Sequence, residues 1–266
     1  MTMARHSLRF PHPLAPLALA WLCLASPALA AEAPKAKDAW QFEVTPYLWA
    51  AGMQGTVAVD GKPQAGLGVQ VSFSDILKVF DMGAMATFEA RKDRWGFLVD
   101  ALYFKVADEG TVTGRLGLSS LTATASLSQS MYTFAGTYRV EEGTTTADVL
   151  AGLRYAALKV DVAIQVSTPA TANRVTETKS WVDPFIGTRI QHHFNARWTF
   201  DVYADIGGFG IGSEADLQAL VGGSYAFTPG IVAKAGYRYI HTRYEKDDFK
   251  YDMDNGGAYL GVGFRW

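Results

Sequence analysis

The last eleven residues of the sequence, 256–266, alternate between two kinds of side chain. In an extended strand, successive side chains point to opposite faces. One face would then be wholly apolar, with Ala258, Leu260, Val262, Phe264 and Trp266. The other would carry Tyr259, Gly261, Gly263 and Arg265. Such a strand fits the wall of a transmembrane β-barrel, which has lipid outside and a polar lumen inside.

The first thirty residues have the pattern of a secretory signal peptide. Arg5 and Arg9 make the start basic, 14–25 is apolar, and 28–30 is a small-x-small cleavage motif. The sequence therefore predicts a signal peptide at 1–30, a periplasmic segment at 31–39 and a barrel domain at 40–266. The single cysteine, Cys23, lies in the removed segment. We therefore expect neither disulfides nor a cysteine-ligated metal site in the mature chain.

Charge and hydropathy narrow the class of protein further. Without Arg5 and Arg9, 22 of the 24 basic residues remain against 26 acidic ones, a net charge of −4. The absence of a basic patch argues against nucleic acid as a partner. The mature sequence has no apolar run of about 18 residues, the length that a transmembrane helix needs. If the mature chain crosses a membrane, it must do so as a closed barrel, because closure satisfies every backbone group in lipid.

Segments with a period of two, separated by turn signals, predict an all-β fold. The fold class is a closed antiparallel up-and-down transmembrane β-barrel of about ten strands, with eight or twelve as alternatives. Pro46 predicts a bulge or break in the first strand. In the fifth strand, the alternation of apolar and polar residues is predicted to slip near Ala156. A short helix capped by Ser74 is expected at 74–79. The ten predicted strands are 40–51, 80–91, 95–105, 125–140, 146–162, 181–192, 197–209, 216–227, 231–244 and 256–266.

Loop lengths and aromatic residues support the barrel independently. Short turns at 91–94, 141–145, 193–196 and 227–230 alternate with long connections, and only 212–215 breaks the alternation. Barrels of this class have short periplasmic turns and longer outer loops, which would place both termini in the periplasm. Outward aromatic residues beside the short turns predict a girdle at the periplasmic interface, which a soluble β-sandwich would not need. These residues are Trp40, Phe88, Trp95, Tyr138, Trp198, Phe227 and Trp266.

With its signal peptide, ten alternating segments and final strand, the chain resembles the small outer-membrane β-barrel proteins of Gram-negative bacteria. These belong to the broad OmpA/OmpW-like grouping. The resemblance implies a location in the cell outer membrane, with outer-membrane lipid and lipopolysaccharide as surroundings. It also implies that the barrel-assembly machinery reads the final strand, where Gly261, Phe264 and Trp266 match the pattern. Trp266 replaces the commoner terminal Phe. The resemblance implies no activity or cofactor, and it leaves the oligomeric state open.

Fifteen charged residues face the lumen by the same alternation. Two interpretations remain open: a charged constriction that selects solutes, or a plug in which opposite charges pair across the lumen. Barrels of about eight strands are filled by side chains, so ten strands favour the plug. The acidic set is Glu43, Asp81, Glu89, Asp100, Asp148, Asp183, Asp201 and Asp205. The basic set is Arg91, Arg139, Arg154, Arg189, Lys234, Arg238 and Arg265.

The sequence offers little chemistry for catalysis. His192 and His193 lie at a predicted periplasmic turn, and His241 lies near the outer rim. Outer-membrane proteases use His and Asp at such a rim, and outer-membrane lipid deacylases use His and Ser. Neither motif is present around His241. We therefore expect a barrel without catalysis or cofactor, either a narrow pore or a plugged structural or surface-interaction barrel. The alternative is an outer-membrane protease or lipid deacylase with its site near His241.

Overall fold

The computed structural model describes residues 39–58, 67–113, 120–167, 170–246 and 249–266. The predicted signal peptide lies outside these residues. No helix in the described residues has the length and hydrophobicity to cross a membrane. The elements are β1 (Gln41–Ala58), β2 (Leu67–Val71), α1 (Phe73–Val79), β3 (Phe80–Lys92), β4 (Trp95–Thr113), β5 (Ser120–Glu141), β6 (Thr145–Ser167), β7 (Ala170–His193), β8 (Trp198–Gly207), β9 (Ala215–Thr228), β10 (Ile231–Lys246) and β11 (Phe249–Arg265).

The strands form one closed antiparallel barrel, as the sequence predicts. From β3 to β11, each strand pairs with its neighbours in the chain. β1 pairs with β3 on one side and with β11 on the other, from Glu43 opposite Arg265 to Ala58 opposite Lys250. Ten strands thus make the wall. The short β2, which the sequence analysis did not predict, lies along the outer end of β1.

Two local predictions have different outcomes. The ladder between β1 and β3 ends at Pro46, opposite Ala86, which confirms the predicted break. The short helix is also present, but Ser72 rather than Ser74 caps it. The backbone N–H of Asp75 donates to the Ser72 hydroxyl at 3.3 Å, because the helix begins one residue earlier than expected.

Side chains alternate between lumen and exterior without interruption from Thr146 to Leu158 of β6. The even-numbered residues from Thr146 to Leu158 face the interior, and β6 pairs with β7 in a continuous register. The predicted slip near Ala156 is therefore wrong. Ala156 lies directly opposite Trp181 on β7, so a small residue occupies this inward position beside a large one. The small side chain of Ala156 thus leaves room for the large ring of Trp181 on the inner face.

The barrel exterior is an apolar band between two aromatic girdles. The predicted girdle lies at the turn end, where Phe42 stacks on Trp266 with ring centroids 5.7 Å apart and Trp95 contacts Tyr138 at 4.8 Å. A second, tyrosine girdle lies at the opposite end of the band, and the sequence analysis missed it. Between them the wall exposes large aliphatic side chains such as Leu48, 77% exposed. This is the exterior of an integral outer-membrane barrel. The tyrosines are Tyr103, Tyr132, Tyr155, Tyr237 and Tyr239.

Several strands continue beyond the membrane band as paired ribbons. β7 begins at Ala170, whereas the sequence predicts a polar loop until Trp181, and β6 extends to Ser167. The residues of these extensions pair one to one, as in Val162 opposite Val175. On the exterior, the Arg174 guanidinium hydrogen-bonds to Asp161 at 2.6 Å and holds the pKa of that carboxyl below its usual value. β-Branched and polar residues thus form β-strands in these extensions. Neither face of the extensions is lipid-facing, so the sequence lacks the apolar alternation that predicts a strand.

Candidate functional site

The lumen collects the charged residues that the sequence predicts to face inward. Fourteen of the fifteen have described side chains on the inner face or at its mouth, and the side chain of Asp81 lies outside the described set. Strand alternation places these groups, and barrel closure brings opposite charges together. They form two ionic layers, a turn-end layer and a middle layer, with apolar side chains above them.

Asp148 is the centre of the turn-end layer. It is 1% exposed, and its carboxylate accepts hydrogen bonds from Arg91 at 2.7 Å, Arg139 at 2.8 Å and Arg189 at 2.9 Å. Arg189 also donates to Glu89 on the far wall at 2.7 Å. Four strands are joined through these contacts, because the partners come from β3, β5, β6 and β7. Charge-assisted hydrogen bonds of this kind are roughly twice as strong as neutral ones.

Glu43 completes the turn-end layer near the closure of the barrel. It forms ion pairs with Lys234 of β10 and with Arg265 of β11, the latter at 2.5 Å. Asp201 lies on the opposite wall and accepts a hydrogen bond from the Gln191 amide at 2.6 Å. Over the whole turn-end layer, the basic groups named above outnumber the acidic ones by five to four.

Arg238 holds one half of the middle layer. Its guanidinium donates to Asp100 of β4 at 2.6 Å, to the Tyr47 hydroxyl of β1 at 2.6 Å and to Gln218 of β9 at 3.0 Å. Tyr47 donates in turn to Asp100 at 2.8 Å. The guanidinium carbon also lies 5.3 Å from the centre of the Trp49 ring, a cation–π distance. These contacts reach from β10 across the lumen to β4.

Arg154 holds the other half of the middle layer. Its side chain is fully buried, and it donates to Asp205 of β8 at 2.7 Å and to Asp216 of β9 at 2.8 Å. The Tyr203 hydroxyl donates to Asp205 at 2.5 Å. The Arg154 guanidinium also packs 4.9 Å from the centre of the Phe185 ring. An isolated buried charge would be costly, and the two carboxylates compensate it.

A tight turn between β8 and β9 closes over this half of the layer. Gly208, Phe209 and Gly210 adopt positive φ angles of 86°, 52° and 72°. The turn thereby directs the backbone N–H and hydroxyl of Ser213 onto the carboxylate of Asp183, at 2.6 and 2.8 Å. Asp183 is fully buried and also accepts from the Trp181 indole. The glycines of this segment thus allow the backbone to form the tight turn.

Apolar side chains fill the lumen above the ionic layers. Tyr47, Trp49, Leu102, Met131 and Ile240 form one buried cluster. A second cluster lies toward the outer end, where Trp181 stacks on Tyr244 with centroids 4.4 Å apart. α1 contributes Ile76 to this outer cluster.

One polar cavity remains between the two ionic layers. Its volume is about 130 Å³, and Glu89, Arg189, Asp100 and Arg238 are among the residues that line it. At roughly 30 Å³ per water molecule, the cavity has room for a few waters. Inward Gly222 and Gly236 border Tyr259, because a Cβ at Gly222 would lie 2.5 Å from its hydroxyl.

The rim histidine lies on the lipid-facing side of the wall. His241 is opposite Asp254 in the β10–β11 register, and their side chains are 2.9 Å apart. The Tyr239 hydroxyl donates to the same carboxylate. Cross-strand pairing thus supplies the acid beside His241. His192 and His193 lie at the turn end, as predicted, and bind Thr145 and Thr199.

Several residues line the lumen in addition to the predicted ones. Asp216 and Gln218 alternate with Leu217 and Ala219, so the same period-two rule identifies them. Trp49 faces inward although it is aromatic, a placement that alternation along β1 also gives. The described residues contain no group of three or more His, Cys, Asp and Glu side chains suited to a metal ion.

No protein-family model and no curated protein matches the chain. Solved structures with a similar fold include the outer membrane protease OmpT of Escherichia coli, at 10% identity and a TM-score of 0.49, covering 85% of this chain and 97% of that one. Ail, the attachment invasion locus protein of Yersinia pestis, matches at 11% identity and 0.34, covering 86% and 99%. OprG of Pseudomonas aeruginosa matches at 10% and 0.34, covering 86% and 97%. These likenesses assign no activity to the chain.

Proposed function

We propose that this protein is a plugged outer-membrane barrel without catalysis, which serves as a rigid structural or surface-interaction protein. The observation that carries the proposal is the middle ionic layer, where buried Arg154 and Arg238 bind acids on other strands. The ion pairs of Arg154 join β6 to β8 and β9, and the ion pair of Arg238 joins β10 to β4 across the lumen. The apolar clusters above them give the barrel a second closure. Outer-membrane lipid and lipopolysaccharide are the proposed surroundings.

Conductance in planar lipid bilayers tests the plug. We expect the wild-type protein to give no steady ion-selective current, because ionic and apolar layers both close the lumen. The double variant Arg238→Ala with Asp100→Ala removes a complete ion pair and leaves neither charge without its partner. We expect it to remain closed, since the apolar cluster above is intact. An open porin in the same bilayers serves as the positive control.

One result would contradict the plug, and another would contradict only its second, apolar closure. Steady, selective openings of the wild-type barrel would establish a pore. Openings that arise only in the double variant would show that the ionic layer is the sole closure.

The contact between His241 and Asp254 supports a second candidate, a rim hydrolase. An acid that orients a histidine is one part of general acid–base machinery. Among the described residues, His241 hydrogen-bonds to Asp254 and to no Ser or Cys side chain. A lipid-acyl or peptide hydrolysis assay of wild type and His241→Ala tests this candidate. Activity that His241→Ala abolishes would favour the hydrolase over the plugged barrel, and inactivity of the wild type would eliminate it.

A further inference from the structure

In the part of the chain that the structure describes, one length of the barrel wall lacks strand pairing. Among the described residues, β1 pairs with β3 only over 41–46, opposite 86–91, and next pairs on that side with β2 from Met53. β3 meanwhile continues along β4. Residues 47–52 of β1 and 80–85 of β3 therefore border an opening. Pro46 lies at its lower edge and has no N–H to continue the ladder.

A cavity of about 370 Å³ occupies this opening. Its lining includes outward side chains of β1, inward side chains of β1 and β3, and two side chains of α1. Since side chains of both wall faces line it, the cavity leads from the exterior into the barrel. The residues that define it are Leu48, Ala51, Trp49, Met85, Phe73 and Ile76.

The opening faces the hydrocarbon of the membrane. Leu48 lies eight residues beyond Trp40 of the turn-end girdle. A tilted strand rises about 20 Å over that length, within an apolar band about 25 Å tall. The opening is thus in the half of the band nearer the long connections. Leu48 and Leu260, which both line the cavity, are 77% and 61% exposed on the exterior.

The inner end of the cavity is closed. Tyr47, Trp49 and Tyr259 form its inner wall. Arg238 supports this wall from below, with its guanidinium 5.3 Å from the Trp49 ring centre and hydrogen-bonded to the Tyr47 hydroxyl. The cavity is therefore a blind recess, separated from the polar lumen by the middle ionic layer.

We propose that this recess binds one acyl chain of a membrane lipid. Apolar cavities exclude water, and hydrocarbon is the medium outside this opening. The recess is over twice the volume of the roughly 150 Å³ cavity that holds benzene, so it has room for a chain segment. The unpaired strand edges also offer backbone hydrogen-bonding groups, which suit the ester or amide linkage of such a chain. The recess shares Tyr47 and Trp49 with the apolar cluster of the proposed plug, but it opens to the membrane.

Photo-crosslinking from within the bilayer tests the site. The full-length protein is reconstituted with a phospholipid that carries a diazirine in one acyl chain, then illuminated and analysed by mass spectrometry. We expect label on inward Trp49 and Met85, in addition to outward Leu48. Inward Leu150, on β6 and in a different buried cluster, serves as the internal control and should remain unlabelled.

A matched pair of variants tests whether the recess is the route. Ala51→Phe fills the recess and should lower labelling of Trp49 and Met85 about tenfold, equivalent to about 1.4 kcal/mol, with Leu48 still labelled. Ala151→Phe adds the same ring to the outer face of β6, which lies between β5 and β7 and away from the recess, and should leave the pattern unchanged. Circular dichroism verifies that both variants fold.

Three outcomes would overturn the proposal. The first is wild-type label confined to outward side chains. The second is inward label that Ala51→Phe does not reduce. The third is inward label from a diazirine fatty acid added in water but none from the bilayer phospholipid, which would exclude a membrane lipid as the source. The bilayer conductance of the barrel decides the plug separately.

Discussion

Asp148 shows how much one buried carboxylate holds together in this barrel. Three guanidinium groups from three other strands converge on it, those of Arg91, Arg139 and Arg189. A buried ion pair gains little over an apolar replacement of both partners. Removal of one partner is different, because it leaves the other charges buried and unpaired. Asp148 is therefore the side chain whose loss should cost most in the turn-end layer.

We expect Asp148→Asn to lower the free energy of unfolding by about 3–5 kcal/mol. Urea unfolding of the barrel in lipid bilayers, followed by tryptophan fluorescence, measures the change. Glu142→Gln is the matched control, since Glu142 pairs with Arg94 at 3.7 Å and both side chains are about half exposed. That variant should cost about 0–1 kcal/mol. Equal losses in the two variants would contradict this role of Asp148.

At the residue scale, the sequence predicts orientation but not partnership. Alternation along each strand places Arg154 and Asp205 inside, because side-chain direction depends only on position in the strand. Which acid meets which base depends on strands 51 residues apart in the chain, as in the hydrogen bond from Arg154 to Asp205. That pairing follows from the register and tilt of the closed barrel. No local pattern in the sequence contains it.

The long hairpins outside the membrane are held by aromatic packing. β7 extends well past the end of β8, so its outer half has no strand beside it on that side in the described residues. On this unpaired side, Trp181 stacks on Tyr244 of β10. The centroid of its ring also lies 6.1 Å from that of Tyr251 of β11. This contact joins the two groups of long strands above the short β8–β9 turn.

Trp181→Ala should therefore loosen the outer extensions and leave the membrane band intact. Loss of a large buried aromatic costs about 3–5 kcal/mol, and here we expect it in local opening rather than in global unfolding. Hydrogen exchange resolved by residue should show faster exchange in the outer halves of β7 and β10. Trp198→Ala, in the exposed turn-end girdle, should leave that protection unchanged. Unaltered exchange in Trp181→Ala would show that the hairpins stand independently.

At the element scale, the membrane-embedded parts of the strands are predictable and their outer extensions are not. Inside the band, lipid and lumen impose strict alternation, which the sequence records in β11 from Gly257 to Arg265. Outside the band, both faces of a ribbon can be polar. The sequence from Ala170 to Ser180 therefore has a loop-like composition although it is strand. Strand pairing with β6 stabilises it there.

On the scale of the whole molecule, lipid around the barrel and a filled interior explain the same sequence pattern. The outer face carries aliphatic residues between two girdles, and the inner face carries paired charges below an apolar core. Alternation and loop lengths predict the closed barrel. They do not decide between pore and plug, because that depends on side chains meeting across the lumen. The proposed lipid site depends on closure as well, since it lies where one ladder is interrupted.

The claim on which the account depends is that hydrocarbon surrounds the apolar band. Spin labels at outward Leu260 and Val262 test it by collision with oxygen, which concentrates in lipid, and with a water-soluble nickel complex. A label at Glu245, exposed at the outer end of β10, is the aqueous control. We predict high oxygen and low nickel accessibility at Leu260 and Val262, and the reverse at Glu245. Nickel accessibility at Leu260 and Val262 equal to that at Glu245 would contradict the account.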